Sequence, residues 1–335
     1  LVMKVKRIIL LIICLEYIVC DCIVAESATA LNPDNGSNIA DIFISWTECS
    51  GTHSVEQDVA NMSKYCAFWC AQSIVSRQPE VWKILHEQYP DKLYMHYVTP
   101  LMARPDAPSS YLDYEYIQRE HPDWFLLIDE ANAAPGDYRN PEKRIRYIPD
   151  DPPGSVWYDC FFLDVGNAEF QDWAVEQFMS LLAQTHPAFS GMMTDNILLD
   201  VWVAWKTKLY PNWKYAGKYA EWNQGYFAYL KKLHTKLRER GYILVLNHTT
   251  DYGSGKQEAV WTNILKIADG YTDEQALGPP LSLWGGEQWE WSLRHHETII
   301  EKGLYDWWIF TPPVGDSEKA YQEFHDEANK REQKL

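Results

Sequence analysis

The sequence predicts a single α/β domain built as a (β/α)8 barrel, on three observations. Short apolar runs alternate with helical stretches, the pattern of a parallel sheet covered by helices. Polar residues fall at the C-terminal ends of those runs, where a closed barrel gathers them round one mouth. No G-x-G-x-x-G or Walker A sequence follows any run, so nucleotide-binding open sheets lose support. A length of 335 residues admits one such barrel or two small domains. The repeated alternation favours one, over residues 31–335.

The runs are "IADIFISW" (39–46), "KLYMHYV" (92–98), "CFFLDVGN" (160–167), "FSGMMTDN" (189–196), "YILVLNH" (242–248), "DGYTDEQ" (269–275) and "YDWWIFT" (305–311). Seven strands are one short of a closed barrel. Either "DWFLLID" (123–129) is another strand, or the chain is truncated before its last one, because a charged helical stretch, "SEKAYQEFHDEANKREQKL", follows.

Between the runs, Asn167 is a good N-cap for the helix "AEFQDWAVEQFMSLLAQ". Its apolar stripe is Phe170, Trp173, Ala174, Phe178, Leu181 and Leu182. A longer helix fills 215–240, with Tyr219, Trp222, Tyr226, Leu230, Leu233 and Leu237 on one face and Gly241 as its stop. Both stripes are expected to be core. Residues 100–159, rich in Pro, Asp and Tyr, are too long for a plain connection and are expected to overhang the mouth.

The N-terminus predicts a signal peptide over 1–30. Lys4, Lys6 and Arg7 precede the apolar run "IILLIICLEYIVC", and "ATA" (28–30) offers small residues for cleavage. The run is short and interrupted by Glu16, which disfavours a membrane anchor. A secreted, extracellular or periplasmic protein with no stable membrane insertion follows. Cys49, Cys66, Cys70 and Cys160 would then remain. Cys66 and Cys70 share an expected helix face, and a bridge from Cys49 to either stays open. The sequons at Asn35 and Asn61 are compatible with glycosylation.

The net charge of −17 argues against a nucleic-acid partner, which needs clustered Lys and Arg. Sixteen Trp and 21 Tyr supply flat apolar faces with a polar edge, suited to stacking on sugar rings as well as to core. The expected partner is therefore a neutral carbohydrate. No metal or cofactor is expected: "ISWTECS" lacks the His-x-His of metal-dependent barrels, and the adjacent His295 and His296 cannot share a ligand face. No G-x-S-x-G marks a serine nucleophile.

The chemistry on offer is a carboxylate pair, Asp195 after the fourth run and Glu274 in the sixth. Glycoside hydrolysis uses two such groups, separated by about 5–10 Å, with the shorter gap giving retention. Alternation puts Asp195 with Met193 on one face, and Asp273 and Glu274 on opposite faces. Taken alone, an Asp-Asn at a strand end more often makes a turn or cap. Around the pair, Trp46, Tyr97, Trp124, Trp202 and Trp284 are candidate sugar platforms, and Asp164, Asn196, Asn247 and His248 are candidate hydroxyl partners.

Four segments together, "HPDWFLLID", "FFLDVGNAEFQDWAVEQFMSLL", "FSGMMTDNILLD" and "ADGYTDEQA", resemble a group of TIM-barrel glycoside hydrolases related to the endo-α-1,4-polygalactosaminidase family. The resemblance spans roughly residues 40–310. It implies that Asp195 is the strand-four carboxylate and nucleophile, and that Glu274 is the acid/base. Ser190 departs from the Asp usual before Gly191. The expected function is a secreted glycoside hydrolase; a carbohydrate-binding barrel without catalysis is the alternative.

Overall fold

The computed structural model describes residues 10–12, 54–63, 67–70, 75, 78–105, 112–148, 159–185, 187–199, 203, 207–247, 262–274, 294–295 and 297–310. For 10–12, 61–62, 67–70, 273–274 and 306–310 it describes the backbone alone. Seven strands form one sheet: β1 (Leu10–Ile12), β2 (Ala67–Cys70), β3 (Leu93–Val98), β7 (Gly191–Thr194), β8 (Ile243–Asn247), β9 (Gly270–Glu274) and β10 (Tyr305–Phe310). The spatial order is β1-β10-β9-β8-β7-β3-β2, and every pairing is parallel. From β2 onward each strand is added on the same side, and β1 then lies beyond β10. Such an order has no switch point, which sets it apart from a doubly wound sheet. No ladder joins β1 to β2 among the described residues.

Five of the expected runs thus lie in the sheet, and three expectations need correction. Residues 160–167 do not supply a strand between β3 and β7, which pair directly. Instead β6 (Phe161–Phe162) runs antiparallel to β4 (Met102–Arg104), which also pairs with β5 (Leu112–Asp113), in a separate three-stranded sheet. Residues 123–129 are not a strand. Pro122–Trp124 is a 3-10 turn, and Phe125, Leu127 and Asp129 make only isolated bridges. Ala67–Cys70 is strand, not helix, so Cys70 ends a ladder beside His96. Cys49 and Cys66, like the run 39–46, lie outside the described residues. Leu10–Ile12, inside the expected leader, pairs with Trp308–Phe310.

Five helices are named here: α1 (Val55–Met62), α2 (Pro79–Gln88), α3 (Tyr114–Glu120), α4 (Ala168–Gln184) and α5 (Tyr219–Glu239). The Asn167 side chain accepts from the backbone N–H groups of Glu169 and Phe170, capping α4 as expected. Gly241 ends α5 with φ +77°, a conformation that costs glycine no Cβ clash. Gly225 on α5 meets Gly166 at the start of α4 so closely that a Cβ would lie 2.7 Å from the Gly166 Cα. The absence of a side chain at Gly225 lets α5 approach the start of α4 this closely, and at Gly166 a Cβ would instead meet the Tyr215 hydroxyl at 2.1 Å.

Strand alternation sorts the sheet into two faces. Tyr94, Val98, Met192, Leu244, Leu246 and Tyr271 join the core cluster that holds the α4 and α5 stripes. Met95, Tyr97, Met193 and Val245 are buried on the opposite face. Asp195 and Asn247 continue that second face at the strand ends. The segment 100–159 is not merely a loop: Leu101, Met102, Trp124, Phe125 and Ile145 from it are all core.

Candidate active site

β7 can sit against β8 because its first residue is glycine. A Cβ at Gly191 would lie 2.1 Å from the carbonyl oxygen of Ile243. The Ser190 hydroxyl accepts from the Tyr94 N–H, so this position ties β7 to β3 without a carboxylate. The ladder carries Thr194 alongside Val98 and Leu246. The next residue, Asp195, donates its N–H to Val98 O at 2.8 Å and then leaves the sheet. Asn196 turns the chain with φ +59°, a left-handed conformation that asparagine tolerates better than most side chains.

Asp195 is the hub of the site. Its Oδ2 accepts from the Tyr97 hydroxyl at 2.5 Å and from Asn196 Nδ2 at 3.0 Å. Its Oδ1 accepts from the Asn196 N–H and from Asn247 Nδ2, both at 2.7 Å. Four donors therefore meet the roughly four lone-pair sites of one carboxylate. Behind them, the Thr272 hydroxyl donates to Asn247 Oδ1 at 2.9 Å. The Tyr147 hydroxyl donates to Asn196 Oδ1 at 2.5 Å, and the Tyr226 hydroxyl to the Asn196 carbonyl at 3.3 Å. The chain Tyr97–Asp195–Asn247–Thr272 thus links β3, β7, β8 and β9.

Asp195 itself is only half-buried, yet it is densely surrounded. Burial raises its carboxyl above the ordinary value, against the lowering pull of Tyr97, Asn196 and Asn247. Among the described residues no Lys, Arg or His forms an ion pair with it.

Two other aspartates on this framework differ in kind. Asp164 accepts from Lys214 Nζ and the Tyr215 hydroxyl, each at 2.5 Å, and from the Gly166 N–H at 3.1 Å. It is a buried, cation-paired group that pins the start of α4, and the structure does not bring it into the Asp195 network. Asp269 accepts from the Leu244 N–H at 2.9 Å, His234 Nε2 at 3.1 Å and Arg238 at 3.3 Å. Burial raises its carboxyl, but these partners outweigh burial and leave it lowered.

The remaining expected site residues divide as follows. Asn196 and Asn247 meet Asp195. Tyr97 reaches it through its hydroxyl, but its ring is 7% exposed and offers no open face for a sugar. Trp124 is 1% exposed. It stacks on His121 at 4.0 Å and is flanked by Phe170 and Trp173, so it is core rather than a platform. The Glu274 backbone lies opposite Ile309, two residues beyond Thr272 along β9; its side chain lies outside the described residues. Trp46, Trp202, His248 and Trp284 lie outside them altogether. The sequence reading names neither Thr272 nor Tyr147, and reads Tyr226 only as core. Only the parity of Thr272 with Glu274 in β9 marks one of them.

Among the described residues, no group of three or more His, Cys, Asp or Glu is placed to hold a metal ion. No helix there is long and apolar enough to cross a membrane.

No protein-family profile matches this chain, and no curated protein sequence does. Solved structures show distant likenesses. The glycoside hydrolase domain of PelA from Pseudomonas aeruginosa is 11% identical, with a TM-score of 0.43, over 76% of this chain and 80% of that one. The maltogenic α-amylase AmyB from Thermotoga neapolitana is 10% identical, with a TM-score of 0.40, over 70% of this chain and 49% of that one. A group IV chitinase from Ostrinia furnacalis is 12% identical, with a TM-score of 0.36, over 70% and 50%. At these scores the likenesses carry no weight for function, and the chemistry must come from the site itself.

Proposed function

We propose that this protein is a secreted glycoside hydrolase whose parallel sheet closes as a (β/α)8 barrel, with Asp195 as one reactive carboxylate and Glu274 as the other. One observation carries the reading. Asp164 is paired with Lys214 and Asp269 with Arg238, whereas the donors to Asp195 among the described residues are all neutral, and Asp195 is raised by burial and stays half-exposed at a strand end. Perturbed carboxyls without a structural ion pair mark sites of chemistry. The single-direction order of β2, β3, β7, β8, β9 and β10, all parallel, supports a barrel wall, and barrels carry their sites at the C-terminal strand ends.

In the reaction, one carboxyl protonates the leaving glycosidic oxygen. The other attacks the anomeric carbon or activates water. By the resemblance drawn from sequence, Asp195 takes the second role and Glu274 the first. A polysaccharide panel tests this with Asp195→Asn and Glu274→Gln. Each is expected to lower turnover by at least about 100-fold, the scale of a lost acid/base group. Unchanged hydrolysis in both variants overturns the assignment, and carbohydrate binding without hydrolysis by the unaltered chain supports the non-catalytic alternative. Secretion rests on the basic, apolar and small-residue order of 1–30. N-terminal sequencing of exported protein tests it, with cleavage expected near 28–30.

A further inference from the structure

We propose that Tyr97 is a positioning residue for Asp195, the one donor on that carboxylate that can reverse or withdraw, and that it therefore governs the carboxyl's proton and its free lone pair. The inference rests on the reading of Asp195 as a reactive group. It replaces the role of a sugar platform that the sequence offered for Tyr97.

The argument starts from the donor count. Oδ1 is held by a backbone N–H and by the Asn247 amide. Oδ2 is held by the Asn196 amide and by the Tyr97 hydroxyl. A carboxylate with all its lone pairs engaged has none left to attack carbon or to deprotonate water. One donor must leave first. The Asn196 N–H is fixed in the chain and cannot. Asn247 and Asn196 are each held at the far end of the amide, by the hydroxyls of Thr272 and Tyr147. Either would have to turn a whole amide over and reset a second bond.

Tyr97 needs only to rotate one O–H about its C–O bond. With the carboxyl ionised, the phenol hydrogen points to Oδ2. When Oδ2 takes up a proton, the phenol hydrogen turns away and the phenol oxygen accepts from the new carboxyl O–H. The contact survives in both states, because a phenol is donor and acceptor in one group. When the phenol hydrogen turns away without protonation, one lone pair of Oδ2 is freed. The ring itself is fixed, since Tyr97 is buried and its backbone pairs with Met193 in the ladder between β3 and β7.

The other titratable groups facing Asp195 do not replace it. Tyr226 from α5 and Tyr147 donate their hydroxyls to Asn196 and not to the carboxylate, and Tyr226 feels Asp195 only as a nearby charge. Burial raises the Tyr226 phenol well above its ordinary value, so it remains a neutral donor. On β9, Glu274 shares the parity of Thr272 along the strand and is the proposed partner in the reaction.

The test is Tyr97→Phe in the full chain, with Asp carboxyl carbons labelled for NMR and Asp195→Asn used to assign the signal. Two to three hydrogen bonds can lower a carboxyl by about two units, so losing one is expected to move the Asp195 midpoint up by about one unit. A second variant, Tyr97→3-fluorotyrosine, keeps the ring and strengthens the donor, and is expected to move the midpoint down. It keeps the test open should the Phe variant fail to fold. On a polysaccharide that the unaltered protein cleaves, the acid limb of the pH–kcat profile moves with each midpoint, while KM changes little. Midpoints unchanged within about 0.2 units in both variants overturn the proposal. So does a loss of kcat/KM that lies in KM alone. If the unaltered protein cleaves nothing, the hydrolase reading fails, and the NMR midpoints still decide the role of Tyr97.

Discussion

Replacing Thr272 by Val removes one hydroxyl and keeps the side-chain shape. In the structure that hydroxyl is 1% exposed and donates to Asn247 Oδ1. Asn247 is 3% exposed, and its other amide atom donates to Asp195. The valine variant leaves a buried carbonyl oxygen without its donor, which costs about 1–3 kcal/mol. It also removes the bond that orients the Asn247 amide, so its donation to Asp195 Oδ1 loosens. One of the bonds that oppose the effect of burial on Asp195 is then weakened, and its carboxyl rises further. Urea unfolding gives the stability change, and a double-mutant cycle with Asn247→Ala isolates the cause. With Asn247 already truncated, no orphan carbonyl remains, so Thr272→Val should cost much less. We expect a coupling energy of about 1–2 kcal/mol, within the range for residues in one network. Thr272→Ser should retain turnover where Thr272→Val loses it. Additivity within about 0.5 kcal/mol, with equal turnover for Ser and Val, would refute the positioning of Asp195 through Asn247.

Asp269→Asn should cost about 1.5–3 kcal/mol at pH 7 for its charged hydrogen bonds, with the exposed Arg238 arm adding little because water screens it. The folded carboxyl lies below its unfolded value, so this stabilisation is complete above the unfolded pKa of about 3.9. It is lost as pH falls through the folded value, and urea midpoints of variant and parent should converge there. Asp195→Asn should behave oppositely. Its folded carboxyl is raised, so the parent loses stability as pH rises from about 3.9 through the folded value. The stability difference, variant minus parent, should therefore grow by about 1.4 kcal/mol per unit of raising; a flat difference from pH 3.5 to 7 would contradict the shift. Gly191→Ala forces a Cβ to within 2.1 Å of the Ile243 carbonyl. It should cost at least the roughly 1–3 kcal/mol typical of overpacking, read as a lower denaturation midpoint.

What was legible in the sequence followed from period and punctuation. β7 to β10 are apolar runs of strand length, and α4 and α5 carry a stripe, a cap at Asn167 and a stop at Gly241. Those signals are local, and the structure keeps them. β2 was misread because Cys66 and Cys70 stand at helical spacing, although "AFWC" suits a strand once β3 is beside it. β6 was misassigned for the opposite reason. An apolar run says that a strand is buried, but not which sheet buries it, and Met102–Arg104 claims it first. Asp195 and Asn247 were findable because strand ends in parallel sheets converge. Trp124 illustrates the limit for aromatics, since a tryptophan in a loop reads alike whether it faces a ligand or, as here, Phe170 and Trp173. Thr272 and Tyr147 act through other side chains, and no one-dimensional pattern records a contact between β9 and β8.

The cost of the Asp195 site is itself an argument for its use. A carboxylate recruited for stability is best placed as Asp269 is, where its partners lower its pKa and its ionisation favours the fold. Asp195 has more donors than Asp269, yet burial still outweighs them, so ionisation there works against folding. Asn196 adds a second cost by holding a left-handed backbone conformation while its side chain and N–H both serve Asp195. An asparagine or serine at 195 could make a turn without the charge. The fold instead keeps the charge, satisfies it with neutral donors, and leaves it accessible at a strand end. A left-handed backbone at Asn196 beside an unfavourable pKa at Asp195 is what a site prepared for chemistry requires. They give a packing residue no advantage. That asymmetry, more than the presence of an acidic side chain, is what supports the proposal of Asp195 as the reactive group.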